Sequence, residues 1–498
     1  MHLTRQGVFF KLHSFYHLVT KPNQTLLVAS AYTLVVFFGW IGTVFFLPFG
    51  HDDVGIRLTN FVSPHTLVQD QRPLVWLVDI VTNEMSPENN AIPESWLRSF
   101  FLLSLVCMYG SVMLFSKRVL GGTPMLRIGF DLLWFTSAGL HLVSQFSTHA
   151  TVYFFSIAAT LLASLFILRG RWLLAFGGIF VGICGYQTNL YLFFANMLLI
   201  YLVDLNRGQQ RLCLQHWVAT SIVAFLSFSA YEITLHVLSN LVYGMAPEIA
   251  SWRLPNYPVD LGSLTDNVLL LFSSLLKNPI YDVSSTIILC GLMLVMLGEK
   301  YSKNAKFFVL CVISALALRV LLESTAIVVG VAQPMRGLHM YFYVPILLGL
   351  PLFLREPTTK RFDAIIGTGL CLIVLTSAIN NYVVSNLYIQ KANCQVENLQ
   401  RIIISLKGEP KIERLTLISY TTEPPLIMDW FPLNAYYYFG PLGYPVNISF
   451  DSTQPPSKVL NLDSPHLTVW REGQEYFAHW QESSQDCYDS TTDKSNLL

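Results

Sequence analysis

Eleven apolar segments constrain this chain more than any other feature. They run over roughly 26–48, 98–115, 128–145, 150–168, 172–187, 189–204, 216–243, 280–297, 306–329, 338–354 and 363–386. Crossing the hydrocarbon of a bilayer as helix takes ~20 apolar residues, and a spanning helix satisfies every backbone group internally. The pattern therefore predicts an all-α polytopic membrane protein with about eleven transmembrane helices. The make-up of the chain agrees. Only 12% of the 498 residues are charged and 53% are hydrophobic, where a soluble domain carries about twice that charge. The mean hydropathy is +0.48. The formal net charge of +0 leaves no global field to recruit nucleic acid. The sequence holds no zinc-like CxxC pair, P-loop, Rossmann glycine pattern or repeat of 20–50 residues. Residues 1–25 lack a compact apolar core followed by a small-residue cleavage site, so they are expected to remain as a tail.

Basic residues orient the bundle. Arg5, Lys11 and Lys21 precede the first segment, and Lys117/Arg118/Arg127, Arg169/Arg171, Arg207/Arg211, Lys300/Lys303/Lys306 and Arg355/Lys360/Arg361 fall in short connections on the same side. The opposite connections are longer in total and hold only Arg57, Arg72, Arg98, Arg253, Lys277 and Arg336. The excess marks the cytoplasmic side, so the N-terminus is expected inside and, after an odd number of crossings, the C-terminus outside. Three outer stretches then follow. Loop 49–97 is the first. Loop 244–279 is the second, proline-rich around a possible interfacial helix, Leu264 to Lys277. The third is the tail 387–498, with β-like runs at Arg414–Tyr420 and His466–Trp470, which reads as a small α+β domain. Cys394 and Cys487 stand near the two ends of that tail. They either form one disulfide in an oxidising compartment or stay as two thiols, since pairing does not follow from sequence.

The sharpest polar feature is the burst His51-Asp52-Asp53-Val54-Gly55-Ile56-Arg57, placed where the first segment leaves the membrane. Ionisable groups at such a place are functional candidates. Neighbouring carboxylates repel, and partial burial disfavours their charge further. That suits Asp52 or Asp53 to take a proton from a hydroxyl near neutral pH. The bland alternative is a helix cap or a solvated loop charge. Arg57 and Arg72 offer paired donors to phosphate oxygens, or else neutralise Asp52, Asp53 or Asp70. Arg336, at another outer helix end, is a third phosphate candidate, its alternative being a snorkelling arginine. The run Leu74 to Val81 is too short to span and is expected to lie flat or re-enter the membrane. Tyr186-Gln187-Thr188-Asn189 forms a polar turn between two tightly connected helices, able to hydrogen-bond sugar hydroxyls or merely to cap. The pairs Glu232/His236 and Arg319/Glu323 share helix faces four residues apart and read as charge compensation within a bundle.

Taken together, Asp52-Asp53-x-x-x-Arg57 after the first segment, Gln71-Arg72-Pro73-Leu74 some fifteen residues later, the Tyr186-Gln187 turn and the outer tail resemble the bacterial and phage-type O-antigen glucosyltransferases. These are the serotype-converting Gtr family of the GT-C class. The spacing from the acidic pair to Arg57 is one residue longer than the family pattern. The resemblance implies a GT-C-like catalytic domain over 26–386 and a periplasmic C-terminal domain over 387–498, in a multi-pass bacterial inner-membrane protein. It implies inverting transfer of glucose from undecaprenyl-phosphate-glucose to the O-antigen of lipopolysaccharide on the periplasmic side, with a donor synthase and a flippase acting upstream. Asp52 and Asp53 would be catalytic, Arg57, Arg72 and Arg336 would meet the donor phosphate, and Tyr186 and Gln187 would bind substrate. No cofactor or metal is required by a monophosphate donor, although an acidic pair has the oxygen ligands a divalent cation takes. A transporter or flippase of lipid-linked sugars, or a polymerase of them, is the competing class. Against the transporter stand the lack of an inverted repeat and an acidic pair at the surface rather than the midplane; a polymerase would rely on outer-loop arginines more than on such a pair.

Overall fold

The computed structural model describes residues 65–84, 94–121, 124–135, 147–208, 214–248, 261–275, 305–324 and 340–354, four strands between 414 and 480, and a few isolated positions. A π-helical turn, His65–Gln69, comes first. It leads to α1 (Pro73–Glu84), α2 (Glu94–Leu120), α3 (Pro124–Phe135) and α4 (Ser147–Ile167). Next come α5 (Trp172–Gly185), α6 (Asn189–Asn206) and α7 (Leu214–Tyr243). Then follow α8 (Leu261–Leu275), α9 (Ala305–Glu323) and α10 (Tyr343–Phe353). Segments 26–48 and 363–386 lie outside the described residues, and 280–297 is described only at isolated positions.

Among the described residues four helical stretches are long and apolar enough to cross a membrane: Ser99–Leu120, Asn189–Asn206, His216–Tyr243 and Ala305–Glu323. This is the make-up of a membrane protein. Their outward faces fit that solvent. On α7, Val218, Ile222, Phe225, Ile233, Val237 and Leu241 are all exposed, Phe225 at 68% and Leu241 at 78%. Facing water, such a stripe would be an aggregation hazard; facing acyl chains, it costs nothing.

Within a largely apolar core, polar and small residues line the contacts among α4, α5 and α6. Helix α4 is central and packs on α2, α5 and α6. On its face toward α5 stand Ser156, Ala159, Thr160 and Ala163, one helix stripe of small side chains, opposite Gly178, Gly182 and Gly185. A Cβ on Gly178 would stand 2.8 Å from the Ala159 carbonyl oxygen, and one on Gly185 would stand 2.6 Å from the Ser156 Cβ. Gly182 is still closer, to Thr160 Oγ1. Helices in lipid associate by such close approach, because apolar burial gives no net drive there. Hydroxyls on this face donate back along α4: Thr160 to the Ser156 carbonyl at 2.8 Å and Ser164 to that of Thr160 at 3.1 Å. Asn196, fully buried on α6, donates to Ser164 Oγ at 3.2 Å and accepts from the Tyr343 hydroxyl, tying α6 to α4 and α10. Around it Phe130, Trp134, Phe342 and Tyr343 pack ring against ring.

Buried charge is compensated locally. Arg127 and Asp131, one helix turn apart on α3, lie 3.8 Å from each other with both side chains buried. Arg319 and Glu323 are both buried on α9, and the Arg319 guanidinium lies 4.3 Å over the Tyr341 ring. His236 is exposed and Glu232 half-buried on α7. At one end of the bundle Arg207, following α6, donates to the Val119 carbonyl near the end of α2 at 3.0 Å.

In the tail, strands β1 (Arg414–Ser419), β2 (Val446–Ser449), β3 (Leu467–Glu472) and β4 (Glu475–Trp480) form one sheet in the order β2-β1-β4-β3. β1 runs parallel to both of its neighbours, and β3 and β4 pair antiparallel with Glu472 opposite Glu475. Only Gly473-Gln474 separates those two strands, a dipeptide suited to a two-residue hairpin. Both β-like sequence runs coincide with strands of this sheet.

The glycine seam sets an expectation. Gly182→Leu wedges α4 from α5 and destabilises by about 1–3 kcal/mol, the usual cost of overpacking. Gly177→Ala, whose Cβ meets nothing within 4 Å, is neutral or slightly stabilising. Thermal midpoints of the two detergent-solubilised variants check this, and equal midpoints would remove the seam's importance.

Candidate functional site

The described residues bring three of the sequence-selected side chains to one place. The π-helical turn ends at Gln69, and Pro73 opens α1, where its fixed φ and missing N–H suit a first helical position. Between them Asp70-Gln71-Arg72 form a non-helical bridge. Gln71 has φ +56°, which among the described residues is the one positive φ outside glycine. This left-handed conformation costs an ordinary residue about 1–2 kcal/mol, so the surroundings must hold it.

They do so from two other elements. Gln187, in the α5–α6 turn, points its amide nitrogen at the carbonyl oxygens of Asp70 (3.0 Å) and Gln71 (2.7 Å) and at the Tyr231 hydroxyl (3.1 Å). Tyr231 of α7 donates its own hydroxyl to the Gln71 carbonyl at 2.8 Å. Carbonyls only accept, which fixes the orientation of the Gln187 amide. Each such bond contributes ~0.5–1.5 kcal/mol net, and two of them end on the Gln71 carbonyl, enough to offset its backbone cost. The bridge is further fixed where the Arg72 amide donates to the Thr66 carbonyl at 3.0 Å.

Arg72 itself lies with its guanidinium carbon 4.7 Å above the Tyr186 ring, and Tyr186 packs edge-on against Tyr153 of α4 at 4.7 Å. At this distance the cation is attracted by the negative face of the ring. Below this layer, Asn189 donates to Ser156 Oγ at 2.8 Å and to the Gly182 carbonyl at 3.1 Å, locking the α5–α6 turn on α4. Above it, Trp76 of α1 donates to the Tyr243 hydroxyl at the end of α7 at 2.8 Å, and the Glu248 amide donates to the Val68 carbonyl at 3.1 Å.

The helices around the site differ in length. α5 has 14 residues and rises about 21 Å, while α7 has 30 residues and rises about 45 Å. The α5–α6 turn is at the end of α5 opposite the basic turn Arg169-Gly170-Arg171. The π-helical turn and α1 pack at the site beside α5 and α7.

Arg72, Tyr186 and Gln187 are thus assembled into one layer. Asp52, Asp53, Arg57, Arg336, Cys394 and Cys487 lie outside the described residues. Both Gln187 amide hydrogens are engaged by protein oxygens, which makes its contact with the bridge firmer than its sequence position suggests. Asn189, part of the polar turn read from sequence, takes the capping role among its two alternatives, whereas Tyr231, Tyr153 and Trp76 were not singled out from sequence. The available signal was chemical: a tyrosine or asparagine in an apolar helix must find a partner for its polar group. Among the described residues no group of three or more His, Cys, Asp or Glu side chains is placed to hold a metal ion. No protein-family model, curated protein or solved structure matches this chain.

The ring under Arg72 can be tested directly. Tyr186→Phe keeps the platform and its thermal midpoint. Tyr186→Leu loses an interaction of about 1–2 kcal/mol and lowers the midpoint of the detergent-solubilised protein. Equal midpoints would mean that the stacking contributes nothing.

Proposed function

We propose that this chain is an inverting, polyprenyl-phosphate-sugar-dependent glycosyltransferase that moves glucose from undecaprenyl-phosphate-glucose to the O-antigen of lipopolysaccharide. The observation that carries the reading is the layer in which Gln71-Arg72-Pro73 meets Tyr186-Gln187. Two motifs of the family resemblance, over a hundred residues apart in sequence, come together there. The donor combines an anionic phosphate with a long apolar tail. A half-buried guanidinium among apolar helices suits both parts, the phosphate by charge-assisted hydrogen bonds and the tail by the neighbouring acyl phase.

In this reading the chain has about eleven crossings, a cytoplasmic N-terminus and a periplasmic C-terminal domain over 387–498, in the bacterial inner membrane. The short connections with excess basic residues support the orientation. Loop 49–97 brings Asp52 and Asp53 to the outer rim. One carboxylate takes the proton of the acceptor hydroxyl while that oxygen attacks the anomeric carbon. The bond from that carbon to the phosphate oxygen breaks, and the prenyl phosphate leaves as an anion met by Arg72, with Arg57 and Arg336 as further candidates. A single base on the face opposite the leaving group inverts the anomeric centre. The chemistry needs no cofactor. Loop 244–279 and the tail, stapled by Cys394–Cys487, would carry the polysaccharide acceptor. A donor synthase and a flippase supply the substrate.

The test is the lipopolysaccharide of cells that express each variant. Asp53→Asn, and Asp52→Asn with it, abolish side-branch glucose, while Arg72→Ala weakens transfer by about 10²-fold, in line with the loss of a transition-state charge partner. All three variants insert at normal levels by membrane immunoblot. Mass analysis of the polysaccharide reads the result, and branch glucose surviving both aspartate substitutions removes the base assignment. Separately, thiol labelling of the tail before and after reduction reports the bridge. Two labels gained only after reduction support it, and labelling without reduction excludes it.

A further inference from the structure

We propose that Gln187 and Tyr231 are positioning residues, which hold Gln71 in its left-handed conformation and thereby set the direction in which Arg72 presents its guanidinium. The inference rests on reading Arg72 as a donor-phosphate group and adds a device that aims it.

Three constraints converge on Arg72. On its N-terminal side, the left-handed Gln71 brings the carbonyls of Asp70 and Gln71 within reach of a single amide nitrogen, that of Gln187. Without donors facing them, two half-buried carbonyls would stay unsatisfied and the turn would relax toward an ordinary conformation. The donors come from elements far away in sequence, the α5–α6 turn and α7. On its C-terminal side Arg72 is followed by Pro73, which excludes most helical conformations of the preceding residue. The backbone of Arg72 is thus restricted from both directions, and its Cα–Cβ bond has one available heading. At the far end, the Tyr186 ring receives the guanidinium at 4.7 Å. Gln187 and Tyr186 are adjacent, so one turn fixes both the base and the tip of the arginine.

A clasp with this geometry does more than stabilise. Tyr231 is buried and its hydroxyl both accepts from Gln187 and donates to Gln71, so the three groups form a closed set. Removing Gln187 or the Tyr231 hydroxyl frees the turn and leaves the helices around it packed. The error passes to Arg72, whose side chain is long enough to turn a small backbone rotation into a displacement of its tip. Misplacement by about 1 Å of a group that meets the reacting phosphate can cost up to roughly a hundredfold in rate.

The experiment uses the full-length protein in lipid nanodiscs, with Gln187→Ala, Tyr231→Phe, Gln71→Gly, and Gln71→Gly combined with Gln187→Ala. Deuterium exchange of peptides over 66–76 reads the clasp without reference to activity. Transfer kinetics with undecaprenyl-phosphate-glucose and lipopolysaccharide read the aim of Arg72. The expected result is faster exchange over 66–76 in Gln187→Ala and Tyr231→Phe, at unchanged exchange in α4 and α9. KM for the lipid donor rises and kcat/KM falls roughly tenfold. Gln71→Gly alone is near wild type, because glycine takes a positive φ freely. In the combined variant glycine restores part of the loss. Unchanged exchange over 66–76, or an unchanged donor KM where Arg72→Ala raises it, overturns the proposal, as does a combined variant no better than Gln187→Ala. A silent Arg72→Ala is a different result: it removes the phosphate reading, and the exchange arm then decides whether the clasp stands.

Discussion

A stretch of non-helical backbone inside a membrane bundle must find all its hydrogen bonds within the protein, because lipid offers none. Asp70-Gln71-Arg72 meets that condition through two side chains, Gln187 and Tyr231. The rest of the local architecture follows from it. The bridge lies against the α5–α6 turn, whose Gln187 reaches its carbonyls. α5 in turn lies close on α4, through glycines that leave room for the Ser156, Thr160 and Ala163 side chains opposite them. Asn189 then closes the end of α5 by donating to the Gly182 carbonyl and to Ser156 on α4. The small-residue seam, the short hairpin and the left-handed turn thus meet around one close helix contact.

The seam also explains how polarity is distributed. In water, burying Asn196, Ser164 and the Tyr343 hydroxyl together would compete with a large hydrophobic gain. In a bilayer that gain is absent between helices, and polar pairs and tight packing supply the cohesion. The outward faces behave in the opposite way: Phe225 and Leu241 stand exposed on α7 with nothing of the described chain over them. Polar pairs and small residues sit at the α4–α5–α6 contacts within a largely apolar core, and the outward face of α7 is apolar as well.

What could be read from the sequence divides along the same physical line. Long apolar periodicity is a local property, so α2, α4, α6, α7 and α9 stand close to the boundaries read from residues alone, as do the short helices α1 and α8. Alternation likewise marked β1 and β3. The turn Tyr186-Gln187 and the dipeptide Arg72-Pro73 drew notice because polar residues are scarce in such a chain. Their meeting was not legible, since no periodicity links residue 72 to residue 187. Tyr231 was passed over in favour of its charged neighbour Glu232. Charge attracts attention in an apolar helix, yet Glu232 is half-buried and Tyr231 fully buried with its hydroxyl in use. Gln71 gave no signal at all, because left-handed backbone at a glutamine is imposed by tertiary contacts and runs against its intrinsic preference.

Partial burial is what suits the arrangement to a lipid-carried anion. An arginine at an open surface is hydrated and screened, and an exposed ion pair contributes little. The half-buried Arg72 has fewer waters to lose when an anion arrives, and the lower dielectric strengthens their attraction. The cost of holding a cation there falls on its surroundings. Tyr186 meets part of that cost by offering the negative face of its ring, itself oriented by Tyr153. A ring quadrupole is weaker than a full countercharge, so in the proposed reading the ring orients the guanidinium without cancelling its attraction for an incoming phosphate.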